Sequence, residues 1–144
     1  MARPRCEEER LVTGKGRFTD DQNLDSQVYA DFVRSPYAHA KIENINCEKA
    51  IETEGVIAVF SANELEADGV KPIPSDVKVR GPLYPNQDGS IMAYPPYFPL
   101  ARKIVRHVGD AVALIIAKTP DIAAEATEKV TIDYTVLPLS LIHI

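Results

Sequence analysis

The side chains with chemistry to offer are few: His39 and His107, Cys6 and Cys47, the pair Asp20–Asp21, and the acids Glu125, Glu128 and Asp133. A histidine titrates near neutrality and can serve as a base or a metal ligand. Neither His39 nor His107 has a neighbour at metal-ligand spacing, so a structural role is expected for both. The two cysteines are far apart in sequence and neither belongs to a CxxC pair. A structural zinc site takes about four ligands, so plain thiols are expected. Adjacent acids such as Asp20 and Asp21 point apart and would need further oxygens to hold a cation; capping of a turn is the simpler role. Gly14-Lys15-Gly16 has the composition of a phosphate loop. It lacks the GxxxxGK[ST] spacing and the strand-to-helix context, which leaves a tight turn. Glu125, Glu128 and Asp133 read as a solvated face. No GxSxG or HExxH occurs, and nothing assembles nucleophile, base and oxyanion donors. No catalytic, cofactor-binding or metal residue is therefore assigned.

The elements that would position these groups follow from periodicity and punctuation. Residues 1–27 are polar and turn-rich and read as an arm or loop. Gln27 to Arg34 alternates as a strand, with Val28, Ala30 and Phe32 on one face and Tyr29, Asp31 and Val33 on the other. Ser35-Pro36 breaks it. Ala38 to Ile45 is a second strand, with Ala38, Ala40 and Ile42 in phase. Asn46 is the expected N-cap of a short helix whose apolar face is Cys47, Ala50 and Ile51, ended by Gly55. Val56 to Phe60 is a buried strand. Ser61 and Glu64 have the spacing of a capping box for a helix running to about Asp68 and closed by Gly69. Residues 70–99 hold seven of the eleven prolines together with Tyr84, Tyr94, Tyr97 and Phe98, so a long Pro/Tyr loop that lies against something is expected. Ile104 to His107 is a short extended piece before a turn at Gly109. Ala111 to Ala117 is apolar at every position, the pattern of a strand covered on both faces. Thr119-Pro120-Asp121 opens a helix by hydroxyl cap, Pro at N1 and an acid at the positive end of the dipole. Glu125 and Lys129 stand at i, i+4. Val130 to Tyr134 closes a β–α–β unit at 111–134, whose crossover length permits parallel pairing.

The fold class is thus α+β: a mixed sheet packed with short helices. At 144 residues, one domain fits, and burial of about 68–70% of the unfolded surface is within reach. With 45% hydrophobic and 26% charged residues, disorder of the whole chain is excluded. A net charge of −5 with scattered basic residues argues against a nucleic-acid surface. No apolar run reaches the roughly 18 residues of a membrane span. Met1-Ala2-Arg3-Pro4-Arg5 leads into Glu7-Glu8-Glu9 rather than an apolar segment, so no signal peptide is expected, a cytoplasmic location is the default, and a disulfide is not expected.

Three ordered segments resemble one family. Glu9 to Asp21 (ERLVTGKGRFTDD) is similar to the opening of large subunits of the xanthine dehydrogenase, aldehyde oxidase and carbon-monoxide dehydrogenase family. Tyr29 to Ala40 (YADFVRSPYAHA), followed by Gly55-Val56-Ile57-Ala58-Val59, resembles its strand motif. Val105 to Ala113 (VRHVGDAVA), Ala124-Glu125 and Val130 to Pro138 (VTIDYTVLP) resemble the third. The resemblance covers about residues 7–138. It implies the family's α/β-hammerhead domain over 28–138, preceded by the arm at 1–27. It also implies a parent activity: oxidative hydroxylation of aldehydes or N-heterocycles, or oxidation of CO. A molybdenum-pterin cofactor in the parent enzyme, with iron–sulfur clusters and FAD on partner domains or subunits, is implied as well. The family's pterin-binding residues and active-site glutamate belong to later domains, so none is carried over, and the fragment itself is expected to bind no cofactor and to be inactive. Its expected partners are the remaining domains of the large subunit and the iron–sulfur and FAD subunits or domains. Leu139 to Ile144 departs from the family pattern and resembles translated adapter read-through, which implies a non-native tail. The alternative is a stand-alone, non-catalytic interaction module with the same fold, since fold does not fix function.

Overall fold

The computed structural model describes residues 7–74, 85–90 and 95–140. Cys6, Pro82, Tyr84, Tyr94 and the end of the expected tail lie outside the described residues. In chain order the elements are α1 (Glu8–Val12), a single 3-10 turn (Thr19–Asp21), β1 (Tyr29–Arg34), β2 (Ala40–Asn46), α2 (Glu48–Ile51), β3 (Val56–Ser61), α3 (Ala62–Ala67), β4 (Ile104–Val105), β5 (Ala111–Ala117), α4 (Pro120–Lys129) and β6 (Thr131–Val136). No helix among the described residues is long and apolar enough to cross a membrane.

The strands form two three-stranded sheets, ordered β1-β5-β3 and β4-β2-β6, and each of their pairings is antiparallel. The α+β class holds. The parallel pairing that the 111–134 crossover permitted does not form: α4 carries the chain from β5 in the first sheet to β6 in the second. The reason lies in the strands themselves. Both edges of β5 are already taken, by β1 and β3. In β6, half-buried Ile132 and Tyr134 alternate with exposed Thr131, Asp133 and Thr135, a pattern suited to a sheet with one solvated face.

Two apolar clusters hold the domain, and β5 belongs to both. Ile115 joins Ala50 of α2 and Ala126 of α4, with Val33, Val56, Val59 and Val130 packed around them. Val112, of opposite parity on the strand, joins Ala40, Ala101 and Val105, with Ile42, Ile45, Ile132 and Tyr134 around them. The small residues Ala123 and Ala126 let α4 lie close on the first sheet, and its outer face carries Asp121, Glu125 and Glu128. Thr119 caps α4, its hydroxyl accepting from the Ile122 amide at 3.3 Å, with Pro120 in the first turn. Gly55 has φ +91°, which the turn requires of glycine, and a Cβ there would stand 2.7 Å from the end of the Ile122 side chain of α4, which would have to move.

Three local expectations change. α2 starts one residue later than expected, from Cys47, whose side chain makes no cap; the Asn46 side chain accepts from the Glu48 amide at 3.0 Å and so satisfies a free amide of the first turn, as expected of it. A bulge between Ile42 and Asn44 shifts the phase of β2, which is why Ile45 faces the same core as Ile42. In β1 the burial runs opposite to the apolar pattern: Tyr29, Asp31 and Val33 are half-buried against α4, while Ala30 and Phe32 are exposed. The register continues that exposed face across the sheet. Phe32 opposes Leu114, which opposes Phe60, and Ala30 opposes Ile116, which opposes Ala58.

Candidate functional site

The groups singled out for chemistry are occupied by structural work. Gly14 closes α1 in the left-handed region at φ +69°, and the Lys15 amide donates to the Arg10 carbonyl at 2.8 Å, so Gly14-Lys15-Gly16 is a helix-ending turn. Asp21 Oδ2 accepts from the Phe18 amide at 2.9 Å, capping the 3-10 turn. His39 Nδ1 lies 2.9 Å from the Pro138 carbonyl, and the Leu137 amide donates to the His39 carbonyl at 3.0 Å, so this residue ties the start of β2 to the segment after β6. His107 is exposed; its Nδ1 lies 3.1 Å from the Val108 carbonyl and its Nε2 3.6 Å from Asp110 Oδ1. Asp110 Oδ2 meanwhile accepts from the Arg106 amide at 3.0 Å, fixing the turn between β4 and β5. Glu125 pairs with Lys129 at 2.7 Å, and Glu128 and Asp133 face solvent.

Two concavities gather the remaining polar groups. The first, about 290 Å³, lies between β2, α2, β3 and α3 and is lined by Cys47, Ser61, Asn63, Glu64 and Arg102 among others. It offers a thiol beside a carboxylate. Burial pushes the Cys47 thiol up, and the negative charge of Glu64 adds to it, so the thiolate needed for nucleophilic attack is disfavoured. Glu64 is committed to its own helix: it accepts from the Ser61 hydroxyl and from the Ser61 amide at 2.8 Å, which lowers its pKa, the Ser61 hydroxyl being the largest cause. The second concavity, about 690 Å³, runs along Pro95–Lys103 to Asp110. Its wall is set by Arg102, whose guanidinium stands 3.5 Å from the Phe98 ring centroid and 3.4 Å from Glu66. In sequence, Arg102 and Glu66 carry no motif; the aromatic Phe98 four residues before a basic residue is the available signal.

A third polar feature is the Tyr134 hydroxyl, which is buried without a hydrogen-bond partner among the described residues. Burial raises its pKa; the nearby Ser35 hydroxyl, already bonded to the Tyr37 backbone and so not well placed to bond Tyr134, lowers it by less. Tyr134 meets Tyr37 edge to face, with ring centroids 5.2 Å apart. Among the described residues no three His, Cys, Asp or Glu side chains converge in a way that could hold a metal ion. The donor set for a metal or an iron–sulfur cluster is therefore not assembled within them.

Residues 13–138 match the family described as aldehyde oxidase and xanthine dehydrogenase, a/b hammerhead domain. The chain is 34% identical over 132 residues to the nicotine 6-hydroxylase large subunit of Paenarthrobacter nicotinovorans, covering 90% of this chain and 15% of that one. It is 36% identical over 137 residues to the carbon monoxide dehydrogenase large chain of Afipia carboxidovorans, covering 95% of this chain and 15% of that one. Among solved structures it is similar to the reconstituted CO dehydrogenase from Oligotropha carboxidovorans, with TM-score 0.74 and 34% identity over 94% of this chain and 15% of that chain. Quinoline 2-oxidoreductase from Pseudomonas putida 86 gives TM-score 0.77 at 28% identity, over 93% of this chain and 16% of that chain. The chain spans about 15% of the length of these curated relatives.

Proposed function

From a chain that belongs to the aldehyde oxidase and xanthine dehydrogenase family, as its a/b hammerhead domain, we propose an architectural role in the large subunit of a molybdenum-dependent oxidoreductase. The parent enzyme oxidises a small substrate, either an aldehyde, an N-heterocycle or CO. The observation that carries this reading is the family match across residues 13–138, joined to coverage of only about 15% of each relative. The hammerhead is one module of a much longer chain, and the groups within it are spent on caps, turns and inter-strand ties. We place the arm at residues 1–27 and the hammerhead at 28–138. The molybdenum-pterin cofactor belongs to later parts of the large subunit, and the iron–sulfur and FAD centres to partner domains or subunits.

The test is to read the coding DNA past codon 138 and to express the reading frame found. A continuation of several hundred residues, with molybdenum in the purified protein and substrate-dependent dye reduction, is expected. A native stop codon directly after codon 138 would leave a stand-alone interaction module and sink the proposal. The separate idea that His39 or His107 catalyses in the 144-residue chain predicts turnover lost on His→Ala; none is expected, because both rings contact backbone carbonyls.

A further inference from the structure

We infer that the open face of the β1-β5-β3 sheet is the surface on which this domain docks against the rest of its own large subunit, an inference that rests on the family reading above. The face is built from two cross-strand rows, Phe32–Leu114–Phe60 and Ala30–Ile116–Ala58. Phe32 is 38% exposed, and the neighbouring Val28 and Ile57 are 51% and 53% exposed. Leu114, Ile116, Ala58 and Phe60 are half-buried. The outer faces of the second sheet and of α4 carry charge, although single apolar side chains such as Phe18 and Tyr97 are exposed elsewhere. The outer face of the second sheet carries Lys41, paired with Glu43 at 2.7 Å, with Asp133 and Thr135. The outer face of α4 carries Asp121, Glu125 and Glu128.

Strand β5 supplies the decisive argument. It is apolar at all of its positions, the pattern of a strand covered on both faces. Among the described residues α4 and α2 cover one face, and the second sheet packs on the other at Val112, at one end of the strand. An apolar sheet face of this kind marks an interaction surface. The occupant follows from length: relatives in which this domain makes up about 15% of the chain carry the remaining mass in the same polypeptide. That partner surface must itself be aliphatic or aromatic, because a charged group laid over Phe32, Leu114 and Phe60 would be desolvated without a counter-charge. Arg34, held 5.5 Å from the Phe32 ring and donating to the Gly109 carbonyl at 2.9 Å, forms a polar rim at one edge.

The experiment uses the full-length large subunit with Phe32 replaced by p-benzoylphenylalanine, and separately Phe60, so that a folding defect at one position leaves the other. Thr135 on the polar face is the control position. On irradiation, adduct yield at position 32 or 60 should exceed that at 135 by about tenfold, since a side chain in a packed interface touches its partner and a solvated one does not. The cross-linked peptides should map beyond residue 138 of the same chain. Adducts to residues within this domain would assign the cover to the domain itself and overturn the inference. Adducts to a second copy, shown by mixed isotope labelling, would overturn it in favour of self-association, and a yield equal to the control would overturn it outright. If no longer chain exists, the family reading and this inference fall together; if one exists and the adducts map elsewhere, only the inference falls.

Discussion

At the scale of single residues, Ser61 and Gly55 each fix the start or approach of a helix. Ser61 accepts from the Asn63 amide, and Glu64 returns to the Ser61 amide and hydroxyl, a reciprocal cap at the start of α3. Ser61→Ala should cost about 1 kcal/mol at neutral pH, read from urea unfolding followed by circular dichroism. The effect should depend on pH. The folded-state pKa of Glu64 is lowered, so its contribution is complete above the ordinary carboxylate range and is lost as pH falls through the folded value. The gap between wild type and Ser61→Ala should therefore narrow on acidification below that range. An unchanged gap between pH 7 and pH 2 would show that the hydroxyl acts without the carboxylate. Gly55→Ala should cost about 1–2 kcal/mol by the same measurement, because φ is +91° and the new methyl meets Ile122. A neutral result would mean that the turn and α4 shift freely.

At the scale of elements, β5 is where stability and function part company. Ile115 is fully buried at the junction of α2, α4 and the first sheet, so Ile115→Ala should cost about 2–5 kcal/mol. Phe32, on the other face of the same sheet, should cost far less when replaced by alanine in the 144-residue chain, since it is 38% exposed there. Equal costs, measured by thermal unfolding, would contradict the one-sided cover. Much of this level was legible in the sequence. The Thr119-Pro120 start of α4, the capping box of α3 and the strand at 111–117 follow from local chemistry, which the fold leaves intact. What local chemistry does not encode is partnership. The choice of β1 and β3 as neighbours of β5 is a tertiary outcome, so the crossover at 111–134 looked compatible with parallel pairing. The bulge at Ile42–Asn44 and the exposed side of Phe32 were hidden for the same reason: alternation states that a strand has two faces but not which one is covered.

At the scale of the whole molecule, the sequence offered no local motif for a candidate site, and the described candidate side chains make structural contacts. His39, His107, Asp21 and Glu64 each contact backbone, and burial with the charge of Glu64 pushes the Cys47 thiol up. The functional surface is a face, and a face spread over three strands leaves no motif in sequence. It does leave a physical consequence for the chain in isolation. Val28, Phe32 and Ile57 present apolar area to water, which drives association without contributing to the fold. Phe32→Ser should therefore cost about 1–2 kcal/mol, the share of the ring that packs on Leu114, which is less than Ile115→Ala costs, while raising the concentration at which the chain stays monomeric. Sedimentation velocity across a dilution series, paired with urea unfolding, separates the two effects. Ile115→Ala, by contrast, should lower stability and leave the native chain's tendency to associate unchanged, because Ile115 never meets solvent in the folded state. If Phe32→Ser were to unfold the chain as Ile115→Ala does, Phe32 would be part of a core and the open face would not exist. If it changed neither property, the apolar area at Phe32 would have no bearing on association, and the case for this face as an interface would lose its physical basis.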